Sequence, residues 1–223
     1  MLGRSTELFI ESYRNTFAIT KCGPPSLAGI RILSIKILSD KGEIWVEKQS
    51  VVFTVNGQKH EFLIGEKTGM VPPSETLVET LRKRLELTGA KQSCDEGACG
   101  CCTVIKDGDA IASCMILTVQ CDGSEITTIE GLEDPVTHEL DPIQKKFIDC
   151  YSFQCGYCTP GIIMSAKALF MKKPEPTAAE IRDALSGNYC RCISHYTVLE
   201  ALDKLAGNKS DQYEIVNEAG EEK

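Results

Sequence analysis

The stretch CDEGACGCC, residues 94–102, places cysteines in the spacing Cys94-x4-Cys99-x2-Cys102, and Cys114 follows with eleven residues between. Four thiolates are what one [2Fe–2S] cluster requires, and C-x4-C-x2-C…C is the plant-type ferredoxin spacing. Further along, Cys155-x2-Cys158 and Cys190-x-Cys192 make a second set of four. Eight of the twelve cysteines are thereby used. Two complete sets in one chain predict two clusters in series, which is an electron wire.

Other chemistries use the same residues. A structural zinc ion also takes four cysteines, usually as two short pairs. The first set departs from that pattern, because three of its members share one tight loop. The second set, taken alone, fits zinc as well as iron. Disulfides belong to oxidising compartments, and the N-terminal MLGRSTELFIESYRNTF, with Glu7 and Glu11 in its apolar stretch and no twin arginine, does not resemble an export signal. The expected location is the cytoplasm. A net charge of −8 and a pI of about 5.0 argue against nucleic acid or an anionic membrane as partner. No apolar run approaches the ~20 residues of a membrane span.

The rest of the chain arranges itself around the two sets. Residues 1–48 form an extension without a chemical motif. It carries predicted strands at 31–38 and 43–47, a loop at 22–29 and the isolated Cys22. Residues 49–132 are predicted as the first domain. A hairpin over 51–64 turns at Asn56-Gly57. A helix over 75–88 shows the stripe Leu77, Leu81, Leu85 and ends at Gly89. After the cysteine loop come strands at 103–106 and 110–116 about an Asp107-Gly108 turn, then strands at 117–120 and 126–129. Short strands with one helix predict a small α+β domain of β-grasp type. Gly97 and Gly100 stand between ligands, where a backbone wrapped closely on a cluster needs freedom from a Cβ.

A polar linker, 133–140, precedes a change to a period of 3.6. Residues 141–207 are predicted as an all-α domain of four helices: 142–151 capped by Asp141, one from Pro160 to about residue 172 capped by Thr159, one opening with Thr177-x-x-Glu180, and one opening with Thr197-x-x-Glu200 and ending at Gly207. Residues 208–223 read as an acidic tail. Cys155 and Cys158 precede the second helix, and Cys190 and Cys192 lie between the third and fourth. Helix N-termini present unpaired N–H groups to an anionic cluster. Nothing in the sequence offers a nucleophile with a matched base or a Gly-rich nucleotide fingerprint, so no catalytic residue is expected.

CDEGACGCCTV…SC, then QCGYCTPG and GNYCRC, resemble the small iron–sulfur subunit of the xanthine oxidase family of molybdenum hydroxylases. The resemblance covers about residues 50–206. It implies a first cluster on Cys94, Cys99, Cys102 and Cys114, and a second on Cys155, Cys158, Cys190 and Cys192. It implies a large partner subunit carrying molybdenum on a pterin, commonly a third subunit with FAD, and a dimer of such heterotrimers. Gln154 matches a glutamine that contacts the molybdenum cofactor, and Cys192 matches the ligand whose sulfur approaches the pterin amine. Electrons would run from molybdenum through the second cluster and the first to FAD, while the complex oxidises an N-heterocycle, purine or aldehyde. Related complexes oxidise carbon monoxide or reduce a hydroxyaryl-CoA. From another class, a free two-cluster ferredoxin is the alternative, though such a carrier has no pterin for Gln154 to meet. The chain departs from the family at Cys101, which replaces alanine and reads as a bystander, at Ser93, and at Ile193-Ser194-His195.

Overall fold

The structure, a computed structural model, describes residues 49–208. The strands expected in 31–38 and 43–47, the loop with Cys22, and the tail from 209 onward lie outside the described residues. Asn208, assigned to that tail, closes the last helix: its N–H donates to Asp203 O at 2.9 Å and its amide to Pro176 O at 3.0 Å.

Strands β1 (Gln49–Val55) and β2 (Gln58–Ile64) form the expected hairpin. Asn56 and Gly57 both take positive φ, 50° and 78°, which a two-residue turn matched to strand twist requires. β3 (Thr103–Lys106) and β4 (Asp109–Ala112) form a second hairpin, and β5 (Glu125–Thr127) completes a mixed sheet of order β2-β1-β5-β3-β4. β5 runs parallel to β1 and antiparallel to β3. Val51, Phe53 and Val55 alternate along β1 and are buried against Leu77, Val78 and Leu81 of α1 (Leu77–Lys83), with Val104 and Ile126.

Several boundaries differ from the sequence reading. α1 stops at Lys83. Glu86 turns left-handed at φ 58°, and Leu87 N–H donates back to Leu81 O at 2.9 Å. Gly89 is therefore no helix stop. It sits against the 3-10 turn Ile129–Leu132, where a Cβ would lie 2.1 Å from Ile129 Cγ2. The strand expected over 110–116 ends at Ala112, because Ser113–Met115 winds into a 3-10 turn. The stretch expected as a strand at 117–120 is also 3-10, Thr118–Cys121. Thr118 there exchanges a 2.7 Å hydroxyl bond with Thr80 of α1, a contact that alternation along the sequence does not encode.

Four helices follow: α2 (Pro142–Asp149), α3 (Thr159–Lys172), α4 (Ala178–Ala184) and α5 (His195–Ala206). Asp141 caps α2 by accepting from Ile143 N–H, and Thr177 and Glu180 form the expected box at α4. Two caps differ. Cys158, not Thr159, is the N-cap of α3, and Ser194 caps α5 three residues before Thr197. Gly207, at φ 74°, ends α5 as expected.

Ile143, Phe147, Ile162, Ile181, Val198 and Leu202 build the core among the helices. α3 is buried on nearly every side. Its Met164 and Ala168 face away from that core and pack with Ile105 of β3. Met164 and Ile105 each contribute ~1.5–3 kcal/mol on burial, and the smaller Ala168 less. α3 therefore joins the helices to the sheet. The described residues belong to one compact unit, and none of their helices is long and apolar enough to cross a membrane.

Candidate iron–sulfur sites

The first cysteine loop is wound by three left-handed residues, Asp95 (φ 57°), Gly97 (70°) and Gly100 (68°). This winding turns the Glu96 N–H toward Cys94 Sγ, at 3.5 Å. That N–H, with Cys99 beside it, brings the Cys94 thiol down to about 7. Cys114 stands on the Ser113–Met115 turn. Ser113 anchors it, its hydroxyl donating to Cys102 O at 2.6 Å and its N–H to the same oxygen at 3.4 Å. The thiols meet two by two, Cys94 with Cys99 and Cys114 with Cys102. Burial pushes the Cys114 thiol up to about 12, with Cys102 adding to the shift.

The second set is assembled from two segments by the packing of the helices. Cys155 and Cys192 lie at the surface with their sulfurs 3.6 Å apart. Cys158 is buried, and Cys190 is beside it. The Tyr157 N–H and the neighbouring Cys192 lower the Cys155 thiol, and Cys155 raises Cys192. Burial, then Cys190, pushes Cys158 up to about 12. Ile193 N–H points at Cys190 Sγ at 3.3 Å, so backbone N–H groups reach both outer and inner sulfurs.

Among the described residues, no three His, Cys, Asp or Glu side chains gather about a single-ion position. Two thiolates on one tetrahedral metal with bonds of ~2.3 Å lie ~3.8 Å apart, and the Cys155–Cys192 spacing fits that. In each set the thiols interact as two pairs, and a [2Fe–2S] unit has two irons to share four thiolates. The donors therefore fit one such cluster per set, with pairs Cys94/Cys99 and Cys102/Cys114, then Cys155/Cys192 and Cys158/Cys190.

Gln154 is exposed immediately before Cys155. Cys101 is buried, in the same core group as Cys158 and Ile162 of the helical half, and its thiol is pushed up to about 12 by burial and by Cys99. Ser93 and His195 are exposed, His195 as the first residue of α5. The sequence reading missed Gly161 and Asn188, which touch the first loop from the helical half. It also missed Tyr157, whose hydroxyl donates to Gln92 O at 2.6 Å. The available signal was their place beside the second set of cysteines, within CGYCTPG and GNYCRC.

Residues 53–128 match the family described as "2Fe-2S iron-sulfur cluster binding domain", and residues 128–203 match the "[2Fe-2S] binding domain" family. The chain is 40% identical over 168 residues to a probable xanthine dehydrogenase subunit of Bacillus subtilis (strain 168), covering 75% of this chain and 91% of that one. It is 42% identical over 164 residues to the nicotine 6-hydroxylase small subunit of Paenarthrobacter nicotinovorans, covering 74% and 89%. Among solved structures, it resembles a chain of quinoline 2-oxidoreductase from Pseudomonas putida 86, with a TM-score of 0.64 and 33% identity over 76% of this chain and all of that one. The chain belongs to the xanthine dehydrogenase family of molybdenum hydroxylases, as a small iron–sulfur subunit that transfers electrons through two [2Fe–2S] clusters.

Proposed function

We propose that the two clusters are held by Cys94, Cys99, Cys102 and Cys114 in a β-grasp domain, residues 49–132, and by Cys155, Cys158, Cys190 and Cys192 in a four-helix domain, residues 141–207. Residues 133–140 link the two, 208–223 form a tail, and 1–48 serve as a docking extension. The second set faces a large molybdopterin-binding subunit, with Gln154 and Cys192 at the junction. The first set passes electrons on to a medium subunit carrying FAD, and two heterotrimers pair into a cytoplasmic assembly. The molybdenum centre of that assembly supplies the oxidation of an N-heterocycle, purine or aldehyde.

The observation that carries this reading is the exposure around the second set. Cys155 and Cys192 are at the surface, and so are Tyr151, Phe153, Tyr157, Tyr189 and Tyr196, each within four residues of one of its cysteines. Half of the large apolar side chains exposed among the described residues lie here. Aromatic residues with a polar tip are enriched where proteins dock. Gln154, exposed and next to Cys155 in the chain, adds an amide able to donate and accept toward a pterin edge.

The test is Gln154→Ala in the assembled complex. Rapid mixing should show slower reduction of the clusters by substrate and unchanged reduction by dithionite, because the substitution removes a junction contact and no ligand. Equal slowing with both reductants would assign Gln154 to support of the cluster instead.

A further inference from the structure

Gly161 has no room for a side chain. It lies in the first turn of α3, and a Cβ there would stand 2.0 Å from Gly100 O and 3.0 Å from Cys101 Cα. Gly100 is crowded from a second side: its own Cβ would meet Asn188 Nδ2 at 2.5 Å and Gly187 O at 2.6 Å. The Gly100 carbonyl accepts three hydrogen bonds, from Thr103 Oγ1 at 2.7 Å, Thr103 N–H at 3.2 Å and Asn188 Nδ2 at 3.2 Å. One residue earlier, Cys99 O accepts from Tyr189 N–H at 2.9 Å. One residue later, Cys101 is buried in the helical core.

Three consecutive residues of the first cysteine loop thus engage the helical half. Their partners there, Gly161 and Asn188-Tyr189, sit within three residues of Cys158 and Cys190. Neither Gly161 nor Asn188 is a ligand in the arrangement proposed above. Packed interiors resist added volume, because a methyl group placed inside another atom's radius must displace one of the two segments.

We propose that Gly161 and Asn188 are positioning residues: Gly161 leaves room for the Gly100 carbonyl against α3, Asn188 bonds it, and together they set the separation of the two cysteine sets. This rests on the ligand assignment above. Clusters held by the two sets would exchange a single electron, with no bond made and no proton moved. The rate of that exchange then depends on how closely the two sets are held.

The test uses the full chain with both clusters loaded and reduced by dithionite. Two reduced clusters are both paramagnetic, and their spin–spin splitting in low-temperature EPR falls steeply with separation. Gly161→Ala and Asn188→Ala should each retain about four irons per chain, two for each cluster, and lose splitting, Gly161→Ala more completely. Gly187→Ala is the control, since a Cβ at Gly187 meets no atom within 4 Å, and its splitting should be that of the unmodified chain. Unchanged splitting in both loaded variants overturns the proposal. If Gly161→Ala fails to load, Asn188→Ala decides by the same criterion. An unmodified chain with about half the iron would instead overturn the ligand assignment, a result distinct from an unaltered splitting.

Discussion

The two cysteine sets reach similar pairings by different means. The first is local: three of its thiols share nine residues, and left-handed Asp95, Gly97 and Gly100 wind the loop that presents them. Its fourth thiol, Cys114, is tied to Cys102 by Ser113, and Cys102 and Cys114 are buried against the sheet core. The second set is tertiary. Cys155 and Cys158 come before α3, Cys190 and Cys192 before α5, and the helical core brings the segments together. Its outer pair is exposed. One set is thus shaped chiefly by its own loop and sunk in a domain, whereas the other is shaped by a bundle of helices and offered at the surface.

The comparison predicts unequal costs when a ligand is lost. Metal binding and folding are linked, and the link should be tighter where the ligand is part of the core. Cys102→Ser should lose the first cluster and destabilise the sheet half by about 3 kcal/mol or more, among the largest effects a single change produces. Cys155→Ser should lose iron from the second set at a smaller cost in stability, since a serine at that exposed position meets solvent. Iron per chain and thermal unfolding of the two variants check this. Equal stability losses would break the distinction between a core-embedded and a surface set.

The same distinction explains what could be read without a structure. The first set was legible because its ligands and glycines are contiguous. The hairpin at Asn56-Gly57, the Asp141 cap and the Thr177–Glu180 box were legible for the same reason, each being a signal carried within a few residues. Spacing alone leaves the second set open between zinc and iron, and the family resemblance implies iron. What escaped depends on distant contacts. The Thr80–Thr118 bond holds a 3-10 turn where alternation suggested a strand. Gly89 looked like a helix stop, but it is small because Ile129 and Glu130 lie against it. Ser194 takes the cap of α5 that Thr197 and Glu200 imitate in sequence. Cys101 read as a bystander, and no feature of the GCC run announces that its side chain belongs to the helical core.

Cys101 sharpens the comparison at the boundary between the sets. Its Sγ donates only a long 3.9 Å contact to Cys99 O, and the residue is 5% exposed. Cys101→Ser should keep the iron of both sets, because the x2 spacing from Cys99 selects Cys102 as ligand. It should nevertheless cost ~1–3 kcal/mol, since the shorter, more polar hydroxyl is buried among apolar groups with its acceptor out of reach. Retained iron with a lowered thermal midpoint is the expected pair of results. Loss of the first cluster in this variant, with Cys102→Ser loaded normally, would reverse the ligand register.

Acid should discriminate between the two halves more weakly, through carboxylates remote from the cysteines. In the sheet half, Arg84 grips Glu75 with two 2.7 Å bonds and reaches Met70 O at 2.8 Å. That pairing, opposed by burial and helped by Thr80, holds the Glu75 carboxyl below its usual range. In the helical half, Lys173 and then the Thr177 N–H and hydroxyl bring Glu180 down to about 2. Both carboxyls titrate lower when folded than the ~4.3 of an unfolded chain. Their stabilisation is therefore complete above the unfolded value and is lost as pH falls through the folded one. For Glu180 the window runs from ~4.3 to about 2, and solvent access to the pair, with the Glu180 side chain 42% exposed, makes the effect slight. Glu75 is better shielded, its side chain 10% exposed, and it joins α1 to the preceding loop. Glu75→Gln should lower stability near neutrality by no more than about 1 kcal/mol, and the gap from the unmodified chain should narrow as pH drops below about 4. Thermal midpoints at matched iron content, taken from pH 6 downward, measure that gap. A gap constant with pH would mean that Glu75 acts through packing alone, and a larger gap for Glu180→Gln would place the acid-sensitive contact in the helical half instead.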